Sequence, residues 1–129
     1  MDCLFCKIIK NEIGSKTIYE DDIVKVFLDI NPTTNGDTLV IPKTHYKDFR
    51  EVPDEVICHM QKVIKELYPL YQEKLNCEGL TISHNTDYGQ EIKHFHMHFI
   101  PRYSNDEVTY GSNKSVLKNI EDIKDILVQ

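Results

Sequence analysis

The chain has 129 residues, 40% of them hydrophobic and 28% charged, which suits one globular domain over 1–129 with a modest core. Its net charge of −6 excludes non-specific binding to nucleic acid or to an anionic membrane, since both need a broad basic surface, so any phosphate site must be local. No apolar run approaches the roughly 20 residues of a transmembrane helix, and Met1-Asp2-Cys3 has neither the basic nor the apolar region of a signal peptide; the expectation is a cytoplasmic protein with no membrane partner.

In chain order, residues 3–10 place Leu4 and Ile8, with Phe5 and Ile9, at helical spacing, and Asn11 and Gly14 end this short helix. It carries Cys3 and Cys6 on adjacent turns. Cys58 and Cys77 stand alone, so Cys3-x-x-Cys6 reads as a metal or redox pair in a reducing compartment rather than as part of a disulfide framework. Residues 17–20 and 24–28 read as two strands of a hairpin turned at Asp21-Asp22. A loop rich in turn residues, 31–36, leads to a third strand at 38–41, stopped by Pro42, with Lys43 and His45 just beyond. Pro53-Asp54-Glu55 opens the longest helix, its acidic residues lying at the positive end of the helix dipole. Val56, Met60, Val63 or Ile64, Leu67 and Leu70 or Tyr71 then recur at the helical period. Pro69 lacks the N–H that would bond residue 65, and a kink or break is expected there. Residues 79–83 form a fourth strand, 85–90 a polar loop, and 94–100 a fifth strand closed by Pro101. Val116, Ile120, Ile123 and Leu127 share one face of a C-terminal helix over 115–128. The fold class is therefore α+β, with five strands, a long helix and a short helix at each end of the chain.

His94, His96 and His98 alternate with Phe95, Met97 and Phe99. A strand places residues i, i+2 and i+4 on one face, so the three imidazoles share a chemical side while the apolar residues share a packed one. At 3.3 Å per residue the three span about 13 Å, too far to close easily on one ion, which weighs against a single catalytic zinc held by all three.

At these residues the chain resembles the histidine triad (HIT) family of nucleotide hydrolases and transferases. The motif is His-x-His-x-His with apolar x after Gly89-Gln90, supported by Asp2 to Ile9, by Phe27-Leu28-Asp29-Ile30 and by Leu39 to His45, which look like the protein kinase C interacting, nucleoside phosphoramidase branch and its bacterial relatives. The resemblance covers residues 2 to about 103 and leaves 104–129 as a C-terminal extension. It implies that His96 is the nucleophile that attacks an α-phosphorus, that His98 contacts the phosphate, and that Gln90 contacts the phosphate and leaving group. It further implies Asp29 as acceptor of the ribose hydroxyls, Ile13, Phe27 and Ile30 as the wall of the base pocket, and Asn85 as an amide at the phosphate end. Taken alone, Phe27 and Ile13 would be ordinary core and Asp29 a loop residue. Cys3, Cys6, His45 and His94 match positions that bind structural zinc in bacterial members, two thiolates and two imidazoles being a familiar tetrahedral set. The resemblance also implies a homodimer. His59 and His84 fall outside the pattern and read as surface residues.

Two departures stand out. Asp37 follows Gly36 where many members carry histidine, and Glu91 follows Gln90 where the phosphoramidase branch usually has serine; each adds a carboxylate near an anion site. The Trp-Pro ending of the eukaryotic branch is absent. The resulting expectation is a hydrolase of purine nucleoside phosphoramidates that works through a nucleotidyl-histidine, needs no metal for the chemical step and carries a structural zinc. The alternatives are a dinucleoside polyphosphate hydrolase and a nucleotide-binding module without catalysis.

Overall fold

The computed structural model describes residues 2–111 and 113–128. The elements run α1 (Leu4–Ile9), β1 (Thr17–Glu20), β2 (Val24–Leu28), β3 (Thr38–Pro42), α2 (Asp54–Leu75), β4 (Gly79–Ser83), β5 (Met97–Arg102) and α3 (Ile120–Leu127), with a 3₁₀ turn at Lys114–Val116. The strands form one antiparallel sheet in the order β1-β2-β3-β5-β4.

Strand periodicity divides the core in two. Val24, Val26, Val40, Met97 and Phe99 pack against Met60, Val63, Ile64 and Tyr71 of α2, while Phe27, Leu39 and Ile41 point the other way and pack against Phe5 and Ile8 of α1. β2 and β3 are thus covered on both faces, and each fully buried large apolar side chain contributes about 1.5–3 kcal/mol. Within β2 the polar exception is Lys25, 2% exposed, whose ammonium donates to the Ile8 carbonyl and to Asn11 Oδ1, both at 3.1 Å. It caps the C-terminal end of α1, where orphan carbonyls need donors. α2 ends at Asn76, which takes the left-handed conformation at φ 58°.

The structure departs from sequence expectation first at Pro42, which does not stop β3 but is its last residue, paired with Val24 at the end of the ladder, and then at four further places. Pro69 lies inside an unbroken α2, held in line by buried Met60, Val63, Ile64 and Tyr71 on either side of it. Pro101 continues β5 instead of closing it. The β3–β5 ladder has ended at Thr38 and Phe99, so Pro101 pairs only with Leu80 of β4 and needs no N–H toward β3. β5 begins at Met97, and the chain bends over 92–94, which places His94, Phe95 and His96 before the ladder and leaves His98 as the one triad histidine within the strand, so the three do not share one strand face. The tail is a 3₁₀ turn followed by a shorter helix, α3, and not one helix over 115–128.

Candidate functional site

β5 and the residue just before it place His98 and His96 between α1 and the turn after β2. His96 is 8% exposed, and its Nδ1 lies 2.8 Å from the carbonyl oxygen of His94. A carbonyl only accepts, so Nδ1 carries the proton and Nε2 is left with a lone pair. The edge of Phe5 meets the His96 ring at a centroid distance of 5.0 Å, and the His98 ring stands 5.1 Å away in a T-shaped arrangement. Burial holds the His96 imidazole below its ordinary range, which favours the neutral, nucleophilic form.

Both rings open into a pocket of about 490 Å³. Ile13, Phe27, Asp29, Ile30, Asn85, His96 and His98, expected from sequence to act together, all line it. Asp29 uses Oδ1 to accept the Asn31 N–H at 2.9 Å, and a short β2–β3 link ties its own N–H to the Asp37 carbonyl at 3.0 Å. An apolar wall, a carboxylate able to accept from a vicinal diol, and two imidazoles form a sequence suited to base, ribose and phosphate. Leu4, Phe5 and Ile8 of α1, with Leu39 and Ile92, complete the wall. Sequence reading took the α1 residues as helix packing; their helical spacing gave the face but not the ligand side.

Gln90 is placed differently from its neighbours. It is 6% exposed and does not line the pocket, although Gly89 and Glu91 do. Its Nε2 donates to the carbonyls of Lys47 and Ile92 at 2.7 and 3.1 Å, while Oε1 is buried without a partner among the described residues. Asp37 is 2% exposed. Its Oδ2 accepts the Thr33 N–H at 2.9 Å, its Oδ1 is buried without a partner among the described residues, and burial raises its carboxyl above the ordinary value. Asp29, Asp37 and His98 offer atoms within 4.8 Å of one another.

The bend before β5 turns His94 away from the pocket and into a separate cluster. Cys3, Cys6, His45 and His94 present ligand atoms all within 4.8 Å of one another. Cys3 Sγ and Cys6 Sγ lie 3.4 and 3.6 Å from His94 Nδ1, Cys6 Sγ lies 3.3 Å from His45 Nδ1, and the two Nδ1 atoms are 3.1 Å apart. His94 Nε2 donates to the Pro42 carbonyl at 2.9 Å, so its Nδ1 brings a lone pair to the centre. Burial pushes the His94 imidazole down to about 4, with His45 adding to the effect. Burial, reinforced by Cys3, raises the Cys6 thiol. Soft donors converging at these separations fit a tetrahedral zinc, which would draw off the thiol protons and supply a cross-link between α1 and the start of β5.

Among the histidines left outside the pattern, His84 is exposed and packs against Phe49 and Phe95. His59 is half-buried and bonds Asp21 Oδ2 at 2.7 Å. Asp21 also accepts from Tyr19 Oη and from the N–H groups of Ile23 and Val24, and these bonds hold its carboxyl well below the usual range. Sequence alone gave no signal for this clamp, because Asp21 and His59 lie 38 positions apart.

Comparison with known proteins bears directly on this geometry. The chain is similar to an uncharacterised HIT-like protein of Methanocaldococcus jannaschii, 46% identical over 118 residues, covering 88% of this chain and 91% of that one. It is 37% identical over 100 residues to the adenosine 5′-monophosphoramidase of Saccharomyces cerevisiae, covering 78% and 62%, and 36% identical over 107 residues to an adenylylsulfatase of Arabidopsis thaliana, covering 81% and 54%. The crystal structure of a HIT family protein from Bacillus anthracis superposes with TM-score 0.82 at 34% identity, covering 98% of this chain and 92% of that one. A zinc-bound histidine triad protein from Mycobacterium smegmatis gives TM-score 0.80 at 34% identity, covering 88% and 84%. With the HIT domain model matching residues 10–105, a span that contains both pocket histidines and the sheet that aims them, the chain belongs to the HIT family.

Proposed function

We propose that the chain hydrolyses purine nucleoside phosphoramidates at the α-phosphate through a nucleotidyl intermediate on His96. The observation that carries this reading is the His96 Nδ1–H held on the His94 carbonyl, which leaves the Nε2 lone pair beside His98 in a nucleotide-sized pocket. Neutral imidazole is nucleophilic near pH 7, and its bond to phosphorus is labile enough for water to resolve. The apolar wall holds the base, Asp29 the ribose, and an N–H of His98 stabilises charge on the non-bridging oxygens. His96 Nε2 attacks, the bond to the amine nitrogen breaks as that nitrogen takes a proton from solvent and leaves as the amine, and water then cleaves the histidine–phosphorus bond, returning a proton to solvent, releasing the nucleotide and restoring the neutral imidazole. The relative named an adenosine 5′-monophosphoramidase supports the choice of bond.

The zinc assigned to Cys3, Cys6, His45 and His94 is structural in this reading, because four protein ligands leave no open position for substrate. We also propose a homodimer. The test of function is steady-state turnover of adenosine 5′-phosphoramidate against a diadenosine polyphosphate with one enzyme preparation. Faster turnover of the phosphoramidate is expected, and labelled adenylate trapped by rapid quench should map to His96. Label on His98 or on a lysine would show a different nucleophile.

A further inference from the structure

Charge around the pocket is lopsided. Among the described residues no lysine or arginine lines it; its ionisable side chains are Asp29, Glu91, His96 and His98, with Asp37 buried close behind Asp29 and His98. Two cations of the neighbouring loops stand outside the lining. Lys93 Nζ donates to the Gln90 carbonyl at 2.7 Å and lines the neighbouring hollow over Cys3 and His45. Arg50 Nη2 is clamped by Asp48 and Asp87 at 2.7 and 3.0 Å.

Glu91 is exposed and lines both the pocket and the neighbouring hollow, so it stands on the ridge between them. With a nucleoside against Ile13, Phe27 and Asp29 and its α-phosphate at His96 and His98, the lining that remains for the leaving group is Asn85, Gly89, Glu91 and Ile92. Its neighbour Gln90 has committed its amide donor to two backbone carbonyls, so Gln90 offers no donor to an anion beside Glu91.

Resting on the phosphoramidase reading, we propose that Glu91 is a specificity residue for the charge of the leaving group. The enzyme selects nucleoside phosphoramidates whose amine carries a second, positively charged group, and it discriminates against leaving groups that carry carboxylate, sulfate or further phosphate. Glu91 takes no part in bond making; it attracts or repels the departing portion of the substrate. By this argument adenylyl sulfate, whose leaving group is anionic, is a poor substrate here, in contrast to what the name of the Arabidopsis relative states for that protein.

The experiment uses three adenosine 5′-phosphoramidates of similar size, built on 1,3-diaminopropane, propylamine and β-alanine, so that the far end is cationic, neutral or anionic. Intrinsic reactivities of the three differ, so the readout is the change in the ratio of kcat/KM between wild type and variant. The cationic-to-anionic ratio should fall about three- to tenfold in Glu91→Gln, as expected for an exposed charge several ångströms away in a partly aqueous setting, and should fall further or invert in Glu91→Lys. It should also shrink in wild type at 0.5 M NaCl, where the screening length is a few ångströms. The same three compounds, competed against a fluorescent adenosine nucleotide, give the ratio as binding. If none is turned over, the hydrolase reading fails while the binding ratio still judges Glu91. A ratio that both Glu91 substitutions leave unchanged, in turnover and in binding, overturns the proposal.

Discussion

A carbonyl oxygen chooses the tautomer of His96, and the consequences for single residues follow from that choice. On the proposed mechanism His96→Ala removes the attacking lone pair while leaving Ile13, Phe27 and Asp29 in place to hold a nucleoside. Turnover should fall by several orders of magnitude with nucleotide affinity changed only a few-fold, as read by single-turnover kinetics and calorimetric titration. Asp37 works in the opposite sense. It was legible in sequence as a carboxylate near an anion site, but not as a buried one with an unpartnered oxygen within 4.8 Å of atoms of Asp29 and His98. Asp37→Asn can keep the bond from Thr33 N–H and removes a negative charge from the phosphate end, so AMP should bind about two- to fivefold more tightly, measured by the same titration. Both residues show why side-chain roles lag behind motif reading. The motif names the residue, but burial and a neighbour distant in sequence shift its titration, as His98 does for Asp37.

Elements were readable wherever period and punctuation agreed and misread wherever a partner overrode them. β2 and β3 followed their short runs between turn signals, and α2 its helical period; Pro69 and Pro101 misled because packing by Tyr71 and Met60 in one case, and the lost β3 partner in the other, removed the expected penalty. The β1–β2 turn adds a feature that period cannot express, a carboxylate fastening the hairpin to α2 through His59. Asp21→Asn should cost about 1–3 kcal/mol near pH 7 in urea unfolding. Because the folded-state carboxyl of Asp21 is held below its unfolded value, this stabilisation is complete above about pH 4 and drains away as pH falls toward the folded pKa. The variant should therefore show a flatter acid limb than wild type. α1 is fastened in another way, by its cluster. Chelation at pH 7, or Cys3→Ser, should lower the melting temperature by about 5 °C or more and release or forfeit about one zinc per chain by metal analysis. The cluster was legible only because family resemblance joined four residues spread over 3–94; the bend at 92–94 that turns His94 toward them was not.

For the whole molecule, apolar surface is left over. α3 buries none of its residues, Ile120 is 86% exposed and Leu127 76%, and Leu70, Leu75 and Ile82 each remain about 40% exposed on α2 and β4. β4 also forms an open sheet edge. A homodimer that covers part of this surface should sediment near twice 15.1 kDa at micromolar concentration, and a monomer there would remove the dimer proposal. The amphipathic pattern of the tail could be read from sequence, but its partner could not, because an apolar stripe states that something covers it and not what. Membrane insertion is not indicated for that surface by length, since no helix among the described residues is long and apolar enough to cross a bilayer.

The His94 carbonyl that aims His96 is main chain, and substitution cannot delete it. The aim is inherited from the path of the backbone, which is fixed where the Phe95 N–H donates to the Tyr46 carbonyl at 2.7 Å and where the His94 ring reaches Pro42. On the proposed reading, the nucleophile's aim is therefore insulated from side-chain changes elsewhere in the pocket. Buried Asp37 and exposed Glu91 make none of the hydrogen bonds that orient His96, so a change of side chain at either leaves that ring's bearing to the backbone.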